Sequence, residues 1–238
     1  MKKTLYFAML YATLHTFNAY ATVVIEGTRF VYPENKNDIS VKMKNTGAVP
    51  ALMQVWVDKG NPKSNPKNAD APFILTPPIF RLNSGEGQAV RIMFIQEKLP
   101  SDRESLFYFN ALEVPPMPES KDNNFMQVAI RSRLKLFYRP AHLQMERVDA
   151  LKNIKWSITN VSNNSFLTID NNSPYYITYS SIELSNRRSS QLLGALMIAP
   201  YSHEKLHLNP SFAGGRTTIK YRTLNDFGLD GYKTTFIE

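Results

Sequence analysis

The stretch Phe125–Arg139 reads FMQVAIRSRLKLFYR, and its apolar and polar residues alternate almost without a break. Side chains at every second position of a β-strand share a face, so this pattern predicts one strand with an apolar and a polar face. The apolar face carries Met126, Val128, Ile130, Leu134, Leu136 and Tyr138. The polar face carries Gln127, Ala129, Arg131, Arg133 and Lys135.

At about fifteen residues, this strand is far longer than the usual five or six. A long strand with an apolar face promotes aggregation unless something covers it. We therefore expect Leu134 and Leu136 to lie in the protein's own core, and Met126–Ile130 to extend beyond it and bind a partner. Pro140 follows directly and cannot continue a central ladder, so Arg139–Leu143 is predicted to be a hinge between two domains.

The rest of the chain repeats short apolar-alternating runs, rich in Val, Ile, Tyr and Phe and separated by Pro, Asn, Gly and Ser. Such spacing is typical of β-sandwiches, and no segment keeps a helical period long enough to predict a helix. The clearest predicted strands are Ile39–Lys44, Met53–Val57, Ala89–Phe94, Leu106–Val114, Ile154–Val161, Tyr175–Leu184 and Thr217–Thr223. The polar, Pro-rich segments Asn61–Pro72 and Pro115–Asn124 are predicted to be loops.

The first 21 residues are typical of an export signal. Lys2 and Lys3 precede a mostly apolar stretch, and Ala19-Tyr20-Ala21 has the small-x-small pattern that a signal peptidase needs. A membrane anchor is the alternative, but the apolar run is shorter than the roughly 20 residues that span a bilayer. We expect cleavage after Ala21 and a mature protein that is not embedded in the membrane.

Composition excludes several kinds of function. The chain has no cysteine, so it has neither a disulfide nor a zinc–thiolate site, and its domains are stable through packing alone. The net charge is +8, but the Lys and Arg residues are scattered and an exported protein rarely meets nucleic acid, so a nucleic-acid partner is not expected.

Two blocks of sequence carry a family resemblance. Leu99–Pro116 reads LPSDRESLFYFNALEVPP, and Leu134–Pro140 reads LKLFYRP. Together they resemble the periplasmic pilus (fimbrial) chaperones, the PapD-like family. Further matches in the family's order are TRFVY at Thr28–Tyr32, TPPIFRL at Thr76–Leu82, NNSPYYIT at Asn171–Thr178 and NDFG at Asn225–Gly228.

The resemblance implies an all-β protein of two immunoglobulin-like sandwiches around a cleft. The expected divisions are a signal peptide (residues 1–21), a first domain with the donor strand (22–141) and a second domain (142–238). It also implies a periplasmic chaperone that lends a strand to pilus subunits whose sandwich is incomplete, and delivers them to an outer-membrane usher. No cofactor or metal is implied.

The resemblance assigns roles to eight residues. Apolar plugs for the subunit's groove are Met126, Val128 and Ile130, and the anchor for the subunit's C-terminal carboxylate is Arg29 and Lys135. A charge network between the two domains is Glu104, Arg139 and Asp226. The short Pro115–Asn124 connection resembles the subgroup that assembles rod-like pili, and Ala111 departs from the larger aliphatic residue usual in the family.

Three alternatives remain. His203–His207 spells HExxH, the pattern of zinc proteases, which needs a helix to bring both histidines to one face; Pro200 and Pro210 leave little room for one. A pilus subunit is a second alternative, but subunits typically carry a cysteine pair and a single sandwich. The third is a different exported sandwich protein that binds by strand addition.

Overall fold

The computed structural model of the protein describes residues 22–95, 97–117, 126–161, 164–212, 215–228 and 231–237. The predicted export signal, residues 1–21, lies outside the described residues, as does Phe125 at the start of the predicted long strand. In the described ranges the chain is mainly β-strand, with short 3₁₀ helices at Arg147–Asn153 and Pro210–Phe212. None of the helices in these ranges is long and apolar enough to cross a membrane.

Nine of the described strands form a first sandwich. In chain order they are β1 (Val23–Ile25), β2 (Arg29–Pro33), β3 (Ile39–Asn45), β4 (Ala51–Asp58), β5 (Phe73–Thr76), β6 (Ile79–Leu82), β7 (Gly87–Phe94), β8 (Ser105–Val114) and β9 (Ile130–Arg139). One sheet has the order β1-β3-β7-β5, and the other has the order β2-β9-β8-β4-β6. β2 runs parallel to β9, whereas β8 runs antiparallel to it.

The first core lies between these two sheets. In β3, Val41 and Met43 are buried and Lys42 between them is exposed, which is the alternation expected of a strand with one face on a core. β4 departs from this rule, because its last four residues, Val55–Asp58, are all buried. Val55 and Val57 belong to the core, so Trp56 and Asp58 are buried on the opposite face of the sheet.

A second sandwich follows, with its own core. Its strands are β10 (Ile154–Val161), β11 (Asn164–Asn171), β12 (Ile177–Ser185), β13 (Ser190–Leu193), β14 (Leu196–Ile198), β15 (Ser202–Leu208), β16 (Thr217–Leu224) and β17 (Tyr232–Ile237). The sheets have the orders β10-β11-β15 and β13-β12-β16-β17, and β14 also pairs with β12. Trp156, Tyr179 and Tyr221 contact one another in this core, with ring centroids 5.2–5.7 Å apart.

The predicted fold class is confirmed: the described chain is all-β and consists of two sandwiches. Each of the seven segments predicted as strands overlaps a strand of the structure, with ends shifted by at most two residues. The predicted loop at Asn61–Pro72 lies between β4 and β5. Sequence periodicity works here because each sheet has one face on a core.

The prediction of one strand from Phe125 to Arg139 is wrong in its first part. Met126–Ala129 lies outside any strand, and β9 begins at Ile130. Its antiparallel ladder with β8 starts at the pair Glu113↔Ile130, and β8 ends one residue later at Val114. Met126–Ala129 therefore has no strand of the described residues to pair with. Leu136 is fully buried in the first core, as predicted, but Leu134 is only partly buried.

Candidate functional site

The first half of β9 is an unpaired sheet edge. β2 pairs with the second half of β9 only, from Arg29↔Lys135 to Pro33↔Arg139. Ile130–Leu134 pairs with β8 on one side, and within the described ranges no strand pairs with its other side. Unpaired N–H and C=O groups at such an edge are a template for a strand of another chain. A strand added there continues the line of β2 and meets the Arg29–Lys135 pair.

Arg29 and Lys135 are neighbours across the parallel pairing of β2 and β9. Arg29 is only 8% exposed, and its Nη1 donates a long hydrogen bond of 3.4 Å to the carbonyl of Leu224 in the second sandwich. Its Nε is buried and has no acceptor among the described residues. In the part of the chain that the structure describes, neither cation forms an ion pair with a carboxylate. The pair therefore has unused capacity to bind an anion.

The pKa directions agree with that conclusion. Burial lowers the pKa of Lys135, and repulsion from Arg29 lowers it further. Burial also lowers the pKa of Arg29, and repulsion from Arg147 adds to the effect, against weaker attraction from Asp226 and Glu104. A carboxylate bound between the two cations would relieve this repulsion and would accept charge-assisted hydrogen bonds from both.

The three apolar residues predicted as plugs are exposed. Met126 is 88% exposed, Val128 is 59% exposed and Ile130 is 52% exposed. Single exposed apolar residues are common on protein surfaces, but these three alternate along the chain that leads into the unpaired edge. They are therefore available to a partner strand at that edge.

Glu104, Arg139 and Asp226 are brought together where the two sandwiches meet. Arg139 Nε donates to Glu104 Oε1 at 2.8 Å, and its two terminal nitrogens donate to the Asp226 carboxylate at 2.8 and 2.9 Å. Glu104 Oε2 also accepts the backbone N–H of Tyr176 at 2.8 Å. Burial acts to raise the pKa of Asp226, but its hydrogen bonds and attraction to Arg139 outweigh it, and the pKa is lowered. These three charges connect the end of β9 to the second sandwich.

Two further contacts join the sandwiches and were not anticipated from sequence. Phe137 is buried and packs on Tyr176, with ring centroids 5.6 Å apart. Gly228, in the NDFG segment, has φ of 86°, and an added Cβ would collide with Oγ1 of Thr28. Only glycine adopts this conformation readily and leaves room for Thr28.

A second charge cluster, around Asp58, was also missed by sequence reasoning. The Asp58 side chain is fully buried and accepts hydrogen bonds from Arg133, Asn110, Ser64 and the Gly60 N–H. The only signal in the sequence is that an aspartate, Asp58, ends an apolar strand. This position does not reveal that its partner is Arg133, which is 75 residues away. We call Asp58, Asn110, Arg131 and Arg133 the Asp58 cluster.

The zinc-protease alternative is wrong. His203–His207 lies in β15, an extended strand, where residues four apart are separated by about 13 Å and Glu204 points to the opposite face from both histidines. Among the described residues, no group of three or more His, Cys, Asp or Glu could hold a metal ion.

A cleft of about 930 Å³ lies elsewhere, beside the β12–β13 turn, and its lining includes Arg187, Arg188 and Arg216. It contains none of the residues predicted for the site. Its size alone does not make it the functional site, because the unpaired edge and the uncompensated cations lie in the first sandwich.

Two family models match almost all of the described chain. Residues 22–144 match the N-terminal domain of PapD, described as a pili and flagellar-assembly chaperone, and residues 149–234 match the C-terminal domain of the PapD pili assembly chaperone. The chain belongs to the PapD family of pilus chaperones. This membership excludes the alternatives of a pilus subunit and of a different exported sandwich protein that binds by strand addition.

Relatives of known sequence and structure agree with this membership. The chaperone protein HifB of Haemophilus influenzae is 42% identical over 236 residues, which cover 96% of this chain and 94% of HifB. The probable fimbrial chaperone YadV of Escherichia coli K12 is 34% identical over 93% of each chain. A crystal structure of YadV has a TM-score of 0.76 and 33% identity, and covers 91% of this chain and 100% of that chain.

A more distant structure shares the fold. The SafB chaperone of Salmonella enterica, solved in complex with the SafA pilin, has a TM-score of 0.74 at 24% identity and covers 93% of this chain and 99% of that chain. The named relatives are all described as chaperones.

Proposed function

We propose that this pilus chaperone works in the periplasm and binds fimbrial subunits by donor-strand complementation. The observation that carries the proposal is that three features meet along β9 and the residues next to it. An unpaired edge at Ile130–Leu134 leads from exposed apolar residues to two cations that have no carboxylate partner among the described residues. The proposed occupant is a subunit whose own sandwich lacks a strand.

The apolar residues supply the affinity of this interaction. Met126, Val128 and Ile130 fill successive positions in the subunit's groove, because alternate residues share a face. Each contributes roughly 1.5–3 kcal/mol if it becomes fully buried. Main-chain hydrogen bonds at the unpaired edge of β9 complete the subunit's sheet, as in other cases of strand addition.

Arg29 and Lys135 bind the carboxylate at the subunit's C-terminus. They lie where β2 begins to pair with β9, so a strand along the unpaired edge ends beside them. The complex of SafB with the SafA pilin supports a subunit as the partner. Delivery of the subunit to an outer-membrane usher, and export through the signal at residues 1–21, complete the proposed pathway.

We further propose a first domain of residues 22–141 and a second domain of residues 142–238. Leu143 and Met145 pack against the second core, which supports a boundary just before them. Arg139, together with Glu104 and Asp226, then holds the two domains in one orientation, so that β9 and the second domain face the subunit together.

Co-expression with fimbrial subunits, followed by co-purification from the periplasm, tests the proposal. The wild-type chain is expected to recover at least one subunit. Lys135→Ala and Arg29→Ala are each expected to reduce recovery by more than about tenfold, since a charge-assisted hydrogen bond contributes about 1.5–3 kcal/mol. Lys42→Ala is the matched control, because Lys42 is an exposed lysine on β3 of the same domain.

Three outcomes are distinguishable in this experiment. Recovery of a subunit with wild type and Lys42→Ala, and its loss with both anchor variants, supports the whole proposal. Full recovery with both anchor variants rules out the carboxylate anchor. Failure of the wild-type chain to stabilise any subunit would overturn the function itself. Circular dichroism of each purified variant separates lost binding from lost folding.

A further inference from the structure

A partner strand that pairs with β9 has to be held in one register among several. A shift by one residue would turn the apolar side chains of the partner strand to the polar face, so the alternation of apolar and polar residues excludes this shift. A shift by two residues keeps every side chain on its face and moves it by about 6.6 Å. The carboxylate anchor excludes this two-residue shift only if a single position on the polar face of β9 binds the carboxylate.

The polar face of β9 carries more than one cation. Lys135 shares it with Arg131 and Arg133 on one side and with Arg139 on the other. Arg133 lies two residues from Lys135, so a carboxylate bound to Arg133 would produce the two-residue shift. Arg139 does not compete, because Glu104 and Asp226 already bind it. Arg133 and Arg131 would therefore compete with Lys135 for the carboxylate unless other groups already bind them.

Asp58 binds Arg133 directly. Its Oδ1 accepts from Arg133 Nη2 at 2.6 Å, and its Oδ2 accepts from Arg133 Nε at 3.2 Å. Arg131 is also occupied: its Nε and Nη2 donate to Asn110 Oδ1 at 3.0 and 2.7 Å, and its Nη1 donates to the Pro62 carbonyl at 2.9 Å. Asp58 Oδ2 lies 3.7 Å from Arg131 Nη2 as well. One buried carboxylate thus lies within 4 Å of both arginines and offsets one of their two charges, while Asn110 and the Pro62 carbonyl accept the remaining hydrogen bonds of Arg131.

The strand register explains why Asp58 does not also bind Lys135. One row of paired residues crosses four strands: Asp58 on β4, Tyr108 on β8, Lys135 on β9 and Arg29 on β2. Tyr108 therefore lies between Asp58 and Lys135. The guanidinium of Arg133 lies 3.6 Å from the centre of the Tyr108 ring and reaches Asp58 diagonally. This arrangement pairs Arg133 with Asp58 and leaves Lys135, beside Arg29, without a carboxylate partner among the described residues.

We propose that Asp58 determines the register of subunit binding, by occupying Arg133 and Arg131 so that the subunit's carboxylate binds only at Lys135 and Arg29. This inference rests on the proposed function and deepens it. Asp58 lies on β4 and does not itself contact the subunit in this scheme. It acts through Arg133, as a positioning residue.

A suppressor experiment tests the proposal. Lys135→Ala is expected to lower subunit recovery by more than about tenfold. Asp58→Asn removes the charge but keeps the size of the side chain, and it frees Arg133. Asp58→Asn combined with Lys135→Ala is therefore expected to restore a substantial part of the recovery, and adding Arg133→Ala is expected to abolish the restoration. The charge-swap variant Asp58→Asn with Asn110→Asp is the matched control, because it retains one carboxylate beside both arginines.

Disulfide cross-linking measures the register between β9 and the subunit's strand directly. The chain contains no cysteine, so Ser132→Cys, in the unpaired half of β9, provides a single thiol for cross-linking to a cysteine scanned along the subunit's edge strand. With Asp58 intact, one subunit position is expected to cross-link. In the Asp58→Asn background a second position, two residues away, is expected to appear, whereas the charge-swap control is expected to retain the single position.

The outcomes distinguish the role of Asp58 from the carboxylate anchor itself. No loss of recovery with Lys135→Ala would overturn the carboxylate anchor, and hence the proposed function's central contact. Loss with Lys135→Ala, without restoration by Asp58→Asn and with one cross-link position throughout, would overturn the role of Asp58 and leave the proposed function intact. Asp58→Ser is the second variant if Asp58→Asn does not fold, and failure of both to unfold cooperatively would show that Asp58 serves the fold and not the register.

Discussion

At the scale of single residues, buried carboxylates pair with two of the cations of β9, Arg133 and Arg139. Asp58 is fully buried, yet five hydrogen bonds reach its two oxygens. Burial alone would raise the pKa of Asp58, but the hydrogen bonds, led by that from Arg133, outweigh it and the pKa is lowered. A buried charge with this many donors is stable, and it is costly to remove.

Asp58→Asn is expected to lower the free energy of unfolding by about 1–3 kcal/mol at neutral pH, since hydrogen bonds to a charged group are lost. Because the folded-state pKa of Asp58 is lowered, its contribution is present above the ordinary pKa of 3.8 and disappears as the pH falls through the folded-state value. The difference between wild type and variant should therefore shrink below pH 3.8. Urea unfolding at a series of pH values measures it.

Asp70→Asn is the control for this measurement. Asp70 is an exposed aspartate of the same domain, so its replacement is expected to leave the free energy of unfolding nearly unchanged at every pH. A difference for Asp58→Asn that stays constant below pH 3.8 would contradict the assignment of the effect to the Asp58 charge.

At the scale of elements, the first core covers only part of the apolar face of β9. Ile130 and Leu136 have the same parity, so they lie on the same face of the strand. Leu136 is fully buried in the first core, whereas Ile130 is 52% exposed. The difference arises because the first sandwich covers only the second half of the strand's apolar face.

Substitutions at these two positions are expected to have opposite effects. Leu136→Ala should destabilise the chaperone by about 2–5 kcal/mol, because it leaves a cavity in the core. Ile130→Ser should leave the chaperone's stability nearly unchanged and should reduce subunit recovery, because it removes apolar area meant for the subunit. Thermal unfolding and subunit co-purification of both variants measure the two effects. Unchanged subunit recovery with Ile130→Ser would contradict the donor role of this position.

At the scale of the whole molecule, two sandwiches with separate cores are joined by a small number of polar and aromatic contacts. Arg139 is central, since its guanidinium binds Glu104 of the first sandwich and Asp226 beyond β16 of the second. The Glu104 side chain is only 2% exposed. Loss of its partner therefore leaves a buried carboxylate without a counter-charge, which is far more costly than loss of a surface ion pair.

Arg139→Ala is expected to destabilise the protein by about 3 kcal/mol and to separate the unfolding of the two domains. Differential scanning calorimetry should then show two transitions in place of one. Arg91→Ala is the matched control: Arg91 on β7 pairs with Asp38 at 2.6 Å within the first sandwich, and its side chain is 58% exposed, so little change is expected. A single, unshifted transition for Arg139→Ala would contradict the coupling role.

The sequence predicted the fold class and the approximate strands because alternation is a local property. It also directed attention to β9 and its two faces. The resemblance named Arg29, Lys135, Glu104, Arg139 and Asp226, and the structure shows where they lie, while their roles in binding stay predictions. Sequence did not reveal that β9 starts at Ile130 or that Leu134 is only partly buried, since both depend on where β8 and the rest of the sandwich end.

The sequence alone therefore determined which residues of the strand share a face, because alternation is periodic, and which of those residues are apolar or cationic. The tertiary structure decided how each member of a face is used. Lys135 and Arg133 have the same parity and the same sign of charge, yet Asp58 binds only Arg133 because of the register of β4, β8 and β9. Pairings between residues far apart in the chain depend on strand order and register, which no local pattern contains. For the same reason, the long alternating stretch predicted a strand, and only the structure showed which half of it remains unpaired.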